Sequence, residues 1–244
     1  MKVFIKMFGL GSKKTLAQSG ILTGFTDYHS HILPGVDDGI KSVEEALRTL
    51  EIYEDLGVKK VVFTPHIMEL YPLNDTESLR SQFNNFKDMY SGNINISLGA
   101  EYMLDNRFTG LLELDDLLPI MENHLLVETS FVSPPMNLIE RLKAIQSKGY
   151  FVVLAHPERY MYMRKENYME LKNNGVLFQL NLLSIVGGYG KEIRDKAKEL
   201  LHSGFYDLIG SDIHDRDYHI HQITHCKLMK KDIDLILQLK SKFY

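Results

Sequence analysis

The chain of 244 residues has a single cysteine, Cys226, and its N-terminal stretch MKVFIKMFGLGSKK has few apolar residues in a row. A lone cysteine excludes an internal disulfide and a zinc site built from several thiolates, and it is compatible with a reducing cytosol. The apolar residues of the N-terminal stretch are too few, and too often interrupted by lysine, for a signal peptide or a membrane span. We therefore expect a cytoplasmic protein without stable membrane insertion.

The sequence also lacks an excess of positive charge and lacks a linker. Its net charge is -4 at pH 7, so it presents no basic field of the kind that nucleic-acid binding requires. No Pro/Gly/Ser-rich or low-complexity segment divides it. We interpret residues 25–244 as one domain and residues 1–24 as a leader segment whose mobility the sequence leaves open.

What the sequence does have is a regular alternation of short apolar runs and amphipathic stretches. The apolar runs predict seven strands, at 25–31, 59–66, 94–103, 124–131, 151–157, 177–186 and 208–214. The amphipathic stretches predict helices at 42–56, 75–90, 135–147, 165–173, 191–202 and 229–242. Such alternation is typical of a parallel sheet, either a closed barrel or a doubly wound sheet. We favour an α/β barrel of seven strand–helix units.

Residues that can bind metals stand at the ends of five of the seven predicted strands. In chain order they are His29 and His31, His66, Glu101, His156, and Asp212 with His214. Asp38 follows in the loop after the first strand. Because the carboxyl ends of parallel strands meet at one edge of the sheet, we expect these side chains to converge there.

Each of these residues has a simpler explanation when it is taken alone, because a core histidine is usually satisfied by one hydrogen bond. Five histidines and three carboxylates at one edge are different, since converging imidazoles and carboxylates need a cation to hold them together. His29 and His31 lie on the same face of a strand, so both can bind one ion. The sequence therefore predicts a multinuclear metal site.

The order of these residues resembles the polymerase and histidinol phosphatase (PHP) superfamily, whose pattern runs H-x-H, D-G, His, Glu, a later His and D-x-H. More narrowly, HILPGVDDG, TPH, GAE, AHPER and SDIH resemble the bacterial capsule-type, manganese-dependent protein-tyrosine phosphatases of that superfamily, and AHPERY is the most distinctive stretch. The match spans His29 to His214. The resemblance implies a distorted TIM-like (β/α)7 barrel.

The resemblance also implies a set of ligands for two to three divalent ions. One ion would use His29, His31, Glu101 and Asp212, a second would share Glu101 and add His156, and a third would use Asp38, His66 and His214. Manganese is the metal that the resemblance favours. Nitrogen and oxygen ligands suit iron or zinc as well.

Two arginines are candidates for binding the phosphoryl group. Arg159 follows His156 by three residues, so its planar guanidinium can reach the same edge of the barrel. A surface arginine that pairs with Glu158 is the alternative, and the family pattern favours the phosphate. Arg216 is the second candidate, although the segment after SDIH is shorter than is usual in these phosphatases.

Other polar stretches have structural explanations. Glu128, at the end of the fourth strand, either supports a metal ligand or is a buried, hydrogen-bonded carboxylate. GGYGK at 187–191 lacks the spacing of a phosphate loop and more simply begins a helix. The histidines of HIHQITHC fit a solvated helix face. Three tyrosines either line a substrate rim or cover the barrel: Tyr160, Tyr162 and Tyr168.

The function that the resemblance implies is hydrolysis of phosphotyrosine on a protein, with the tail of a bacterial tyrosine kinase of capsule or exopolysaccharide synthesis as the partner. The sequence has no C-x5-R loop, which excludes the cysteine-dependent class of phosphatase. One alternative is a small-molecule phosphomonoesterase such as a histidinol-phosphate phosphatase, since the same ligands serve both. A metal-binding module kept for structure is another, but no expected ligand is missing.

Overall fold

The computed structural model describes residues 13–241 and shows an α/β barrel. Its strands are β1 Lys14–Thr15, β2 Thr26–Ser30, β3 Lys60–Phe63, β4 His66–Ile67, β5 Asn95–Leu98, β6 Glu101–Met103, β7 His124–Glu128, β8 Phe151–Ala155, β9 Leu177–Asn181, β10 Leu208–Gly210 and β11 Lys227–Leu228. Its helices are α1 Leu16–Ser19, α2 Val43–Asp55, α3 Thr76–Met89, α4 Asn106–Leu114, α5 Leu138–Ser147, α6 Lys165–Asn173, α7 Leu182–Val186, α8 Lys191–His202, α9 Arg216–His225 and α10 Lys230–Lys240, with a 3-10 turn at Pro157–Arg159.

The barrel is built from parallel strands in one cyclic order. β2 pairs with β3 and β3 with β5, while β4, β6, β7, β8, β9 and β10 follow one another in a second ladder. β3 and β4 are two parts of one extended run, as are β5 and β6, so the two ladders continue into each other. The cycle closes where Asp212 N–H donates to His29 O and His31 N–H donates to Ile213 O, at 2.8 and 3.1 Å. The predicted distorted barrel of seven strand units is confirmed.

The alternation of side chains along a strand explains how an apolar barrel carries a polar site. On β7, Leu125 and Val127 belong to the large core between the strands and the helices, whereas Leu126 belongs to a small second core. Glu128 lies two residues beyond Leu126 and therefore on the same face. The small core thus fills one part of the barrel's interior, and the polar residues at the strand ends take up the next part.

Helix ends follow the signals in the sequence. The Ser42 side chain accepts a hydrogen bond from Glu45 N–H at the start of α2, and Asp75 caps α3 in the same way. Gly190 is the residue before α8, so GGYGK does begin a helix. No helix of residues 13–241 is long and apolar enough to cross a membrane.

The predicted strand 177–186 is wrong in its second half. The strand ends at Asn181, and the next five residues, Leu182–Val186, form α7, all of them buried. A fully buried apolar run has no periodicity that separates strand from helix, and for this reason the apolar pattern predicted a strand where the chain forms a helix. Helix α4 was not predicted at all, although Asp105 caps it.

The folded domain also begins earlier than the predicted boundary at residue 25. β1 pairs antiparallel with β11, and Leu16 and Ile21 are fully buried. The part of the predicted leader from residue 13 to 24 therefore packs onto the barrel. Residues 1–12 lie outside the described part of the chain.

The solvated face predicted for HIHQITHC is correct for His221 and wrong for His219. Helix α9 does form, and the exposed rings of His221 and His225 stack with centroids 4.5 Å apart. His219 is buried, and its Nε2 lies 3.0 Å from the Tyr53 hydroxyl of α2. Residues i and i+2 of a helix face different directions, so this one histidine points inward.

Candidate metal centre

The barrel brings all eight predicted metal ligands to the carboxyl ends of its strands. They come from the strand ends and from the loops that follow: His29 and His31 at β2, Asp38 in the next loop, His66 at β4, Glu101 at β6, His156 after β8, and Asp212 with His214 after β10. Seven of the eight, together with Glu128, form three groups of side chains whose ligand atoms lie within 4.8 Å of one another.

The most buried group joins His29, His31, Glu101 and Asp212. His29 Nε2 lies 3.1 Å from Glu101 Oε2 and 3.2 Å from Asp212 Oδ1, and His31 Nε2 lies 3.3 Å from Glu101 Oε2. All four side chains are essentially inaccessible to solvent. This is the set that the resemblance implied for one ion.

A second group lies nearer the surface and joins His31, Asp38, His66 and His214. Asp38 Oδ1 is 3.5 Å from the Nε2 atoms of both His66 and His214. The Asp38 side chain is 58% exposed, so this end of the centre is open to solvent. The group contains the three residues expected for one ion, with His31 in addition.

The third group differs from the expected one, because it consists of His66, Glu101 and Glu128. His66 Nδ1 lies 3.2 Å from Glu101 Oε2 and 3.2 Å from Glu128 Oε1. His156 stays close, with Nε2 3.0 Å from Glu101 Oε1 and 4.0 Å from Glu128 Oε2. The structure therefore makes Glu128 a candidate ligand. In the sequence, the signal for this role was the position of Glu128 at the end of the fourth predicted strand.

The arrangement of the candidate ligand atoms is typical of a metal site and differs from that of a hydrogen-bond network. Glu101 Oε2, Asp212 Oδ1 and His66 Nδ1 are buried and make no hydrogen bond with any residue of the described chain. Each of these atoms nevertheless lies within about 3.5 Å of several other donors. Polar atoms that crowd together in this way without hydrogen bonds are arranged as ligands around a cation.

The charges of the centre depend on each other. Burial lowers the pKa of the His29 imidazole, but the Glu101 and Asp212 carboxylates outweigh burial and raise it to about 9. For the Asp212 carboxyl, burial acts in the opposite direction and raises the pKa, yet His29 and His214 hold this pKa well below its usual range. The carboxylates therefore remain ionised and require positive charge, which protons supply when no cation is bound.

A layer of hydrogen-bonding side chains orients the candidate ligands, and the sequence pattern did not reveal it. Gln179 Oε1 lies 2.9 Å from His29 Nδ1, Asp37 Oδ2 lies 2.8 Å from His31 Nδ1, and Asn181 Nδ2 donates to Asp212 Oδ2 at 2.7 Å. Such partners fix the ring orientation of a metal-binding histidine. Gln179 and Asn181 stand two apart on β9, which is the one available clue, since β9 otherwise resembles a plain buried strand.

The backbone at the centre is also constrained. His156 and Asp212 adopt left-handed φ values of 35° and 52°, which residues other than glycine rarely do. A Cβ on Gly210 would lie 2.5 Å from His29 Cβ and 2.7 Å from Gln179 Nε2. Only glycine lets β10 approach the histidine that closely.

Arg159 lies at this centre in a preorganised position. Its Nη1 donates to Asp212 Oδ2 at 2.9 Å, and its guanidinium lies between two rings, 4.2 Å from the centroid of Phe131 and 4.5 Å from that of Tyr189. No other hydrogen bond of the guanidinium is formed within residues 13–241, so its remaining N–H groups are available to a ligand. The alternative pairing with Glu158 does not occur, because that carboxylate is buried and accepts from Asn181 N–H and the Tyr206 hydroxyl.

The structure does not bring Arg216 to the centre. Arg216 is the first residue of α9, and its Nε donates to Asp217 Oδ1 at 2.9 Å. It is absent from the walls of the pocket that Arg159 lines.

The pocket above the candidate ligands has a volume of about 170 Å³. Its lining includes Met68, Leu70, Tyr71 and Phe131 beside the candidate ligands. The tyrosines that the sequence suggested for the rim lie elsewhere, since Tyr160 and Tyr168 are buried and Tyr162 is absent from these walls. An aromatic ring at the centre would therefore meet Tyr71 and Phe131.

Comparison with known proteins identifies the family. The model of the family described as capsular polysaccharide synthesis, CpsB/CapC, matches residues 25–234. The chain belongs to the CpsB/CapC family. CapC of Staphylococcus aureus is 29% identical over 194 residues, which are 77% of this chain and 76% of that protein. The tyrosine-protein phosphatase YwqE of Bacillus subtilis is 25% identical over 202 residues, 79% of this chain and 80% of that one.

A solved structure shares the fold of this CpsB/CapC family member. It comes from work on YwqE of Bacillus subtilis and CpsB of Streptococcus pneumoniae, described as metal-dependent tyrosine phosphatases. The two chains superpose with a TM-score of 0.74 at 22% identity, over 90% of this chain and 87% of that one. The resemblance to capsule-type tyrosine phosphatases is confirmed, and the likeness of the structures supports the fold.

Proposed function

We propose that this protein is a metal-dependent phosphatase that hydrolyses phosphotyrosine on proteins. The observation that carries the proposal is the convergence of eight nitrogen and oxygen ligand residues, with His156 Nε2 3.0 Å from Glu101, beside an arginine whose guanidinium is held between two rings. The CpsB/CapC relatives named as tyrosine-protein phosphatases support the same reaction.

We further propose that the centre holds two to three divalent ions, with manganese as the native metal and iron or zinc as alternatives. Ions bound here would lower the pKa of a water molecule and neutralise charge on the phosphoryl oxygens. The described side chains provide three groups of ligands, of which two share His31, and Glu101 belongs to two as well. Shared ligands of this kind are typical of ions a few ångströms apart.

The chain's own residues have distinct roles in this proposal. Arg159 binds the non-bridging oxygens of the phosphoryl group through the N–H groups that form no hydrogen bond with the described residues, while Phe131 and Tyr189 hold the guanidinium in place. Asn181 and Gln179 keep Asp212 and His29 in position. The leaving group is a phenolate with a pKa of about 10, so charge stabilisation contributes more to the reaction than proton donation does.

The partner that we propose is a phosphotyrosine protein, the tail of a bacterial tyrosine kinase of capsule or exopolysaccharide synthesis. The CpsB/CapC family's description supports the pathway. We also propose a cytoplasmic location, with which the lone Cys226 is compatible.

The test is a comparison of kcat/KM under manganese for a phosphotyrosine peptide, a phosphoserine peptide and histidinol phosphate. We expect the phosphotyrosine peptide to be preferred and Asp212→Asn to abolish its hydrolysis, while the exposed His221→Asn leaves it unchanged. A preference of about a hundredfold for histidinol phosphate, about 2.7 kcal/mol of transition-state binding, would favour the small-molecule phosphatase instead.

A further inference from the structure

A second groove of about 400 Å³ lies beside the metal centre, between the first turn of α5 and helix α6. Its apolar walls come from the segment before α5, from α5 itself, from the loop before α6 and from α6: Pro134, Leu138, Ile139, Tyr162, Met163 and Leu171. This volume is in the range that holds a side chain or a small ligand. No residue that lines it lines the metal centre.

The groove is continuous with the metal centre through one short segment of chain. Glu128 and Phe131 line the pocket of the centre, and Pro134, three residues later, lines the groove. Thr129 Oγ1 lies 2.7 Å from the hydroxyl of Tyr162, which itself lines the groove, and this contact attaches the segment to the groove. Val132 and Met136, in and just beyond it, are 88% and 84% exposed. An apolar surface therefore extends from the rim of the centre to the groove.

The groove is also acidic. Glu140 and Glu170 line it, and both are exposed. Neither carboxylate forms an ion pair within residues 13–241. A ligand that brings a basic group to this place would meet two carboxylates that have no other cationic partner, and its apolar part would fit the walls between them.

We propose that this groove docks the polypeptide that carries the phosphotyrosine, with one apolar side chain in the groove and a basic side chain beside Glu140 and Glu170. The proposal rests on the proposed function. A polypeptide whose phosphotyrosine occupies the centre continues across residues 129–134, because this segment borders the centre on the groove's side. An extended chain advances about 3.3 Å per residue, so the docked residues lie a few positions from the phosphotyrosine.

The first experiment uses a series of peptides and the full-length protein with manganese. Each peptide holds one phosphotyrosine in a chain of glycine and serine, with a single Leu-Lys pair about three to seven residues before or after it. We expect one placement to raise kcat/KM about tenfold over the peptide without the pair, through a lower KM, as one well-placed contact can do. Equal kcat/KM for all placements overturns the docking role.

The second experiment reverses the charge of the groove. Glu140→Lys with Glu170→Lys should remove the advantage of the Leu-Lys peptide and transfer it to a Leu-Glu peptide, while hydrolysis of p-nitrophenyl phosphate stays unchanged. The matched control is Glu51→Lys, because Glu51 lines a comparable apolar and acidic groove on α2 that does not border the centre. Leu138→Ala, which only shortens an apolar side chain, tests the apolar contact separately.

The remaining outcomes identify other occupants and contradict the proposal. If the wild-type protein sediments as a dimer and a groove variant sediments as a monomer, a second copy of the chain covers the groove. A variant that accelerates p-nitrophenyl phosphate and peptides alike shows that a segment of the chain itself covers it. If neither p-nitrophenyl phosphate nor any phosphotyrosine peptide is hydrolysed, the proposed function fails first, and the docking role fails with it.

Discussion

Whether a side chain takes part in the centre depends on the residues that it contacts. The two candidate arginines differ in these contacts. Both follow a predicted metal ligand by two or three residues, at Arg159 and Arg216. The first is held between two rings and beside Asp212, whereas the second pairs with its neighbour Asp217 on the surface of α9. Proximity in sequence made both candidates, but only Arg159 contacts Asp212, Phe131 and Tyr189 and lines the pocket of the centre.

We therefore expect Arg159→Ala to lose about two to three decades in kcat/KM, because one lost contact to a transferring phosphoryl group costs about 2–4 kcal/mol. The metal content should stay unchanged, which elemental analysis checks beside the kinetics. Arg159→Lys should recover little, since lysine lacks the planar fork. Arg216→Ala serves as the control with unchanged kinetics. An Arg159→Ala enzyme with wild-type activity would remove Arg159 from the site.

Glu128 is the candidate ligand that the structure adds. Glu128→Gln removes a charge from the group that it forms with His66 and Glu101, and we expect the bound metal to fall by about one ion per chain, since a carboxylate ligand has been lost. Elemental analysis after dialysis measures this. Glu122→Gln, an exposed residue just before the same strand, should keep the full metal content. An unchanged content in both variants would make Glu128 a hydrogen-bonding neighbour only.

At the scale of elements, the spacing between strands decides where the ligands stand. β10 approaches β2 so closely at Gly210 that a methyl group there would overlap His29 and Gln179. The same residue type in helix α4, at Gly110, has nothing within 4 Å of the position of a Cβ. A side chain is therefore excluded at Gly210 by close contacts, whereas there is space for one at Gly110.

Gly210→Ala should accordingly lower the free energy of unfolding by about 1–3 kcal/mol, the usual effect of overpacking, and should displace His29. Gly110→Ala should raise it by about 0.5–1 kcal/mol, because alanine favours the helix. Denaturant unfolding of the metal-free protein compares the two. Equal effects of both substitutions would contradict the close approach of β10 to His29.

Helix α9 provides a prediction on acid stability through His219. Burial lowers the pKa of this imidazole from 6.5 to about 3, so the folded protein keeps it neutral while the unfolded chain binds a proton below pH 6.5. Its contribution to stability is therefore complete above pH 6.5 and is lost as the pH falls from 6.5 to about 3.

His219→Gln in the metal-free protein should make the fall of unfolding free energy with acid less steep, by up to about 1.4 kcal/mol per pH unit below pH 6.5. His221→Gln, on the exposed side of the same helix, should leave the slope as it is. The measurement is denaturant unfolding at a series of pH values. Parallel curves for wild type and His219→Gln would show that folding does not lower the pKa of His219.

At the scale of the whole molecule, the centre joins the strands of both ladders, since its residues come from β2, β4, β6, β7, β8 and β10 or the loops after them. An ion bound there cross-links most of the barrel. Without a cation, buried carboxylates and imidazoles rely on protons to balance their charges. Metal binding and global stability are therefore linked.

We expect manganese at a concentration of about a hundred times its Kd to stabilise the protein by about 2.7 kcal/mol per site, which raises Tm by about 5–10 °C in a domain of this size. Differential scanning calorimetry with and without a chelator measures the shift. Asp212→Asn should lose most of it. A Tm that does not respond to chelation or to added metal would contradict a metal centre that links the strands.

Some features of this protein followed from the sequence alone. The alternation of apolar runs and amphipathic stretches determined a parallel α/β sheet, because parallel strands buried on both faces are continuous apolar segments in the sequence. The residues at the ends of these runs determined the ligand set, since the carboxyl ends of parallel strands share one edge. His29, His31, Glu101 and Asp212 stand together for this reason.

The tertiary structure alone decided the features that depend on contacts between distant segments. Leu182–Val186 is a helix because of where it packs, since a buried apolar run carries no periodicity of its own. Gln179 supports His29 from a position 150 residues away, and Phe131 and Tyr189 each contact the Arg159 guanidinium from separate loops. The sequence determines which side chains reach the edge of the barrel, whereas the closure of β10 onto β2 determines which of them touch.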